Sequence, residues 1–310
     1  MTAYVIRRLL YGIPILLGIT FLTFLLFHVV GGDPARMQAG KMLTEARLAE
    51  IRHELGTDRP MLDQYLEFLR QTLTFDFGRS WHTHRPVREM LLDGMGPSLA
   101  LAVPAFFLET VLALAFALWC ALYRGTFVDR TIVVLAVAGI SVPSLSYIVF
   151  GQYYAAHSWS LFPVYGYEPL PAGAVFLALP LIIWVLLGLG SEVRFYRAVA
   201  LEEIQQDYVR TAAAKGVPAR GILFRHVLKN SMIPVLTRVV ISIPTLILGS
   251  LLIERFFGIP GLGNVTVEAV NASDFPVVKG FVVMGSVLYI LFSILTDVLY
   301  AWVDPRIKLR

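Results

Sequence analysis

Residues 205–216 read QQDYVRTAAAKG, a polar and small-residue stretch set between two apolar runs, 172–191 and 232–253. Each flanking run has about the twenty residues that an α-helix needs to cross the hydrocarbon core of a bilayer. Outward from this pair, four further runs of the same kind occupy 9–31, 98–122, 131–155 and 279–303. Only 15% of the 310 residues are charged, 57% are hydrophobic, and the mean hydropathy is +0.69. The composition predicts an all-α polytopic membrane protein with six transmembrane helices, a single domain over 1–310, and it excludes a soluble two-domain chain.

The first run follows Arg7 and Arg8 as a signal peptide's would. Its 23 residues end in VVGGDP with no small-residue cleavage site, so it reads as an uncleaved anchor. Lys and Arg of short loops stay preferentially on the cytoplasmic side. Fourteen of them fall on one face: Arg7 and Arg8, Arg124 and Arg130, seven in 192–230, and Arg306, Lys308 and Arg310. The short loops of the other face hold Arg255 and Lys279. Both termini are therefore expected in the cytoplasm, and the net charge of +4 is a matter of topology, with no nucleic acid as partner. The single cysteine, Cys120, lies inside an apolar run and allows no internal disulfide.

The loop 32–97 is expected outside, as a helical insertion between helices 1 and 2. Thr44 can cap a helix whose apolar positions are Leu48, Ile51 and Leu55. Asp58 and Pro60 can start a second helix carrying Leu62, Tyr65, Phe68 and Leu69. Their apolar faces fit a ledge for an external partner or a self-packed lid.

The inner loop 192–230, about 40 residues, exceeds an ordinary connection. Leu201, Ile204, Tyr208 and Ala212 recur at helical spacing and predict one amphipathic helix running into Gly216, where Gly216, Val217 and Pro218 stop it. Leu223, Phe224, Val227 and Leu228 predict a second helix after the corner. Thr211, Ala212, Ala213 and Ala214 would let another surface approach closely, with Arg210 and Lys215 at the rim. An amphipathic hairpin lying on the inner leaflet is the alternative.

The stretch DYVRTAAAKG (207–216), followed by VPARGILFRHVLKNSMIPV, resembles the signature loop of bacterial ABC importer permeases of the dipeptide, oligopeptide and nickel type. The resemblance is to the first of that system's two permease subunits. It extends over RRLLYGIPILLGITFLTFLLFHVVGGDP (7–34), LGTDRPMLDQYLEFL (55–69), FDFGRS (75–80), FFGIPGLG (256–263), DFPVVKG (274–280) and DVLYAWVDPRIK (297–308). It implies two permease subunits side by side in the bacterial inner membrane, two cytoplasmic ATPases beneath, and a periplasmic binding protein that delivers the solute. Asp207, Tyr208, Arg210, Thr211, Ala212, Ala213, Lys215 and Gly216 would then couple the chain to an ATPase. Pro260, Gly261, Leu262 and Gly263 would form a periplasmic re-entrant loop. ATP and Mg would sit on the ATPases and no cofactor on this chain. The solute would be a peptide, with nickel chelates, glutathione-like compounds or sugars as alternatives, and a paralogous second permease is expected.

The residues themselves offer no enzyme. G-x-x-x-x-G-K-[ST] is absent, His53-Glu54 is followed by Thr57 where H-E-x-x-H needs its second histidine, and G-x-S-x-G is absent. His82 and His84 would share a face in an extended segment, but two ligands are too few for a metal site and they read as loop histidines. His28 reads as a structural hydrogen-bonding group. A stand-alone channel or secondary transporter would leave the inner loop without a role, and no internal repeat is visible. Two ionisable groups fall inside apolar runs. Glu109 stands near the midplane of 98–122, and Arg238 six residues into 232–253, where it could snorkel. They are expected to line the path or to pair with each other.

Overall fold

The computed structural model describes residues 2–29, 35–36 and 44–303. The end of the first apolar run beyond Val29 and the basic Arg306, Lys308 and Arg310 lie outside the described residues. Within them the chain is helical, and the β-structure is limited to an isolated bridge between Arg79 and Pro86. Helix α1 is Thr2–Val29, α2 Glu45–Leu55, α3 Met61–Thr74 and α4 Val87–Leu122. Helix α5 is Phe127–Ser141, and α6, Ser144–Phe150, runs on as a π-helical turn Gly151–Ser158. Helix α7 is Ala174–Ile204, α8 Asp207–Ala214 and α9 Ala219–Ile222, which passes through a π-helical turn Leu223–Val227 into α10, Leu228–Leu248. Then come α11 Leu251–Phe257, α12 Leu262–Asn271 and α13 Phe275–Val303. Five of these segments are long and apolar enough to cross a membrane, and the bent pair α5 and α6 makes a sixth if counted as one span.

That bent pair corrects the expectation of a continuous span over 131–155. Helices α5 and α6 meet at 91°, because Pro143 pushes the residue before it out of helical geometry. Val142 has φ −85° and ψ 126°. Helix α7 corrects the boundary at 191: it runs unbroken to Ile204, so the first part of the supposed inner loop is helix. Helix α4, at 36 residues, also outruns its apolar stretch, and at about 1.5 Å per residue it exceeds the ~30 Å of a bilayer core.

Helix α4 threads four apolar clusters in sequence. Val87 and Leu91 pack with Phe68, Phe77, Leu262 and Val277. Leu101 packs with Ile148, Leu177, Ile183 and Phe257. Ala113 and Ala117 meet Val193, Tyr196 and Val235, and Leu118 and Ala121 meet Ala200, Val209, Leu223 and Val227. The main partner along this length is α7. Bidentate bonds from Arg197 to Asp129, at 2.7 and 2.9 Å, tie the start of α5 to the same helix.

The two short helices sit where the sequence places them, with differences in detail. Leu48 and Ile51 are buried. Thr44 occupies the N-cap position of α2, but its side chain makes no cap hydrogen bond. Beside it, His53 bonds the Asp58 carboxylate at 2.9 Å and holds it below its ordinary range. Helix α3 buries Phe68 and leaves Leu62 66% exposed. The Tyr65 hydroxyl donates to the Leu17 carbonyl of α1 at 3.3 Å. The motifs FDFGRS and DFPVVKG meet: Asp274 accepts the Ser80 hydroxyl and the backbone N–H groups of Trp81 and His82, the latter two at 3.0 and 3.3 Å.

Close approach of α7 to α5 depends on Gly190, where an added Cβ would lie 2.6 Å from the Ala136 carbonyl oxygen. Gly190→Ala is expected to cost about 1–3 kcal/mol through overpacking. Gly18→Ala, which meets nothing within 4 Å in the interior of α1, is the control expected to lose no stability. Thermal unfolding of both variants in detergent distinguishes this from a tolerant packing, in which the two would melt together.

Candidate functional site

The elbow after α7 is built by three local devices. The α7 helix ends at Ile204, Gln205 and Gln206 turn the chain, and α8 begins at Asp207. The single amphipathic helix expected up to Gly216 is thus two helices with a corner between them. At the far end of α8, Gly216 N–H donates to the Ala213 carbonyl at 3.0 Å and Val217 N–H to the Ala212 carbonyl at 3.2 Å, a Schellman closure. It requires the left-handed φ of 79° at Gly216. Pro218 then occupies the N-cap position of α9.

This corner divides its residues into two faces. Val209 is buried in one cluster with Leu118 and Ala121 of α4, Ala200, Leu223 and Val227, which seats the elbow at the end of α4, and Ala212 is buried as well. Tyr208 is half-buried and bonds the Glu203 carboxylate, and burial raises its phenol above the ordinary range. Asp207, Arg210, Thr211, Ala213, Lys215 and Gly216 are exposed. Of the residues expected to meet a partner, Ala212 is the exception, because it faces its own chain.

Pro260, Gly261, Leu262 and Gly263 form a second constellation, organised by a residue the sequence reading missed. Glu254 is fully buried. Its Oε1 accepts from Ser98 Oγ at 2.8 Å and from Ser250 N–H at 3.1 Å, and its Oε2 accepts from the N–H groups of Gly263 at 2.7 Å and Asn264 at 3.2 Å. Ser98 Oγ in turn accepts from Leu262 N–H at 2.8 Å. The carboxylate therefore caps α12 from outside its own sequence and joins the loop to α4. An added Cβ at Gly261 would stand 2.3 Å from Glu254 Oε2, so this glycine is required by space; its φ of −91° is ordinary. An acidic residue closing an apolar run and followed by GIPGLG was the available signal.

Glu109 and Arg238 are not paired with each other. Arg238 donates from Nε and Nη2 to a single oxygen of Glu192, Oε1, at 3.0 and 2.9 Å, and lies 5.6 Å from the Phe195 ring centroid. Glu109 is buried between α4 and α7, its carboxylate over Gly188, one helical turn before Glu192. The continuation of α7 past 191 supplies Glu192, which explains why the sequence did not offer it as a partner. His82 lies in a turn rather than an extended segment and His84 has φ 57°, so the pair does not share a strand face. Among the described residues no group of three His, Cys, Asp or Glu side chains can hold a metal ion. His28 stacks on Phe24, with ring centroids 5.7 Å apart.

With this geometry in view, the family described as "Binding-protein-dependent transport system inner membrane component" matches residues 113–309, and its N-terminal counterpart matches residues 1–102. The chain belongs to that family. It is a multi-pass inner membrane permease, and the family is one of transport components, not of enzymes. Such a permease works with a second permease, ATPases and a substrate-binding protein. The chain is similar to "Probable peptide ABC transporter permease protein y4tP" of Sinorhizobium fredii, 34% identical over 99% of this chain and 100% of the relative. It is also similar to the "Dipeptide transport system permease protein DppB" of Escherichia coli K12, 32% identical over 99% of each chain.

The permease fold depends on the Glu254 cap. Glu254→Gln would turn an amide N–H toward donors or leave them unpaired, at a cost of about 3 kcal/mol, and Ser98→Ala would cost roughly half as much. Thermal unfolding in detergent checks the order. Equal melting of Glu254→Gln and the parent chain would contradict it.

Proposed function

We propose that the chain is one of two permease subunits of an ATP-driven importer for peptides, coupled to a cytoplasmic ATPase through the elbow around Gly216. The observation that carries this is the division of the elbow. One face, Val209 and Ala212, is buried, with Val209 in a cluster that holds Leu118 and Ala121 at the end of α4, and the other, Arg210, Thr211, Ala213 and Lys215, is open. A corner so seated passes a push on its open face into the longest helix of the bundle. The peptide class is inferred from the relatives' names.

In this reading the elbow and both termini are cytoplasmic, the helical insertion 32–97 and the 260–263 loop face the periplasm, and 192–230 is the coupling region with its first part inside α7. The 260–263 loop, pinned to α4 by Ser98 and Glu254, acts as a gate element beneath the binding protein. ATP and Mg are bound by two ATPase subunits, with no catalysis on this chain. The second permease is a paralogue.

Gly216→Val tests the coupling role. An added Cβ meets nothing within 4 Å in this chain, so within the subunit the effect is backbone strain at φ 79°. That strain is about 1–2 kcal/mol for a non-glycine residue. Uptake and solute-stimulated ATP hydrolysis by the reconstituted complex are expected to fall together by roughly tenfold, with membrane insertion unchanged. Gly216→Asn, which tolerates the left-handed region, should retain most of both. Wild-type uptake by Gly216→Val would overturn the assignment.

A further inference from the structure

Arg238 lies in the middle of a membrane-spanning helix, and its side chain is 47% exposed. On the same face of α10 follow Ser242, partly exposed, and Thr245, exposed; on the adjoining α7, Ser191 and Phe195 are exposed. The Ser191 and Ser242 hydroxyls are satisfied within their own helices, donating to the Gly188 and Arg238 carbonyls at 2.8 Å, so it is the half-exposed guanidinium that would be costly against lipid and assigns this face to water or to another protein chain.

The guanidinium is held sideways. Both of its hydrogen bonds go to one oxygen of Glu192, and Phe195 lies against it. An Arg has five N–H donors, so three remain unengaged here, including both on Nη1. Glu192 is largely buried, at 13% side-chain exposure. The cation is thus anchored on its buried side and carries free, fork-shaped donors on its open side, the arrangement that matches a carboxylate.

We propose that Arg238 lines the translocation path and receives a carboxylate of the passing solute, with Glu192 and Phe195 as its positioning residues. This rests on the permease reading above and adds the chemical group that the path recognises. Glu109 is buried on α4 against Gly188 of α7, and the hydrogen bonds of Arg238 go to Glu192 instead.

The test uses the complete complex in proteoliposomes, with its second permease, ATPases and saturating binding protein, and two probes, dialanine and dialaninamide. In Arg238→Gln, dialanine uptake is expected to fall about tenfold, the scale of one charge-assisted hydrogen bond, with dialaninamide uptake unchanged. Arg238→Lys should keep an intermediate rate. Unchanged dialanine uptake would overturn the proposal. So would an equal loss for both solutes with release of the second permease, the result expected if Arg238 instead binds an acidic residue of that subunit. Cys120 is the only native cysteine, so Arg238→Cys in a Cys120→Ser chain can be probed with a membrane-impermeant anionic thiosulfonate. Reaction supports a water-facing wall and lack of reaction overturns it. Failure of the wild-type complex to import either dialanine or dialaninamide would contradict the peptide reading, and the labelling result would still decide the wall.

Discussion

The packing of α4 along α7 is the interaction on which the remaining structure depends. Among the described residues every apolar cluster but the small one around α2 draws on α4, and α7 supplies the facing side chains in three of them. At one end the pair holds the Glu254 cap and the 260–263 loop through Ser98. At the other it offers Leu118 and Ala121 as the seat for Val209. In the proposed coupling, a displacement at the elbow would reach the loop at the far end through one continuous helix rather than through a chain of weak contacts.

A membrane chain must satisfy its buried polar groups from within. This one does so mainly in a few compact nodes, while among the described residues Glu192 Oε2 and Ser231 Oγ are buried without a hydrogen-bond partner. Glu254 accepts four hydrogen bonds, two of them at the start of α12, Asp129 takes Arg197 and the Gly125 N–H, and Asp274 gathers the turn that follows Phe77. Each node joins elements distant in sequence. The close approach of Gly261 and Gly263 to Glu254 shows what the glycines of that motif are for: they leave room for a carboxylate.

The helical spans were legible because runs of apolar residues have few other uses at that length. Their limits were less so. Glu192, Arg194 and Arg197 ended the apolar run in the sequence and suggested a loop at 192, yet in the fold Glu192 pairs with Arg238 and Arg197 with Asp129, so α7 continues. Hydropathy has no means of seeing such partners. Pro143 did carry a local signal for the 91° break, hidden by the apolar residues on both sides. The elbow was readable from Gly216, Val217 and Pro218, whose backbone preferences act locally. Which alanine faced inward was not, since Ala212 and Ala213 differ only in their placement around α8. Glu254 escaped notice because its partners are mostly backbone N–H groups, which every residue has.

The open face of the elbow is the proposed contact with an ATPase, and site-directed cross-linking measures this most directly. In a Cys120→Ser chain within the assembled complex, Ala213→Cys, Lys215→Cys and Ala212→Cys would be treated with a short thiol-to-amine cross-linker. The prediction is an adduct with an ATPase subunit from positions 213 and 215 and little from 212, which is 6% exposed. Adducts from all three positions alike, or none from 213 and 215 in a complex that still hydrolyses ATP, would contradict it.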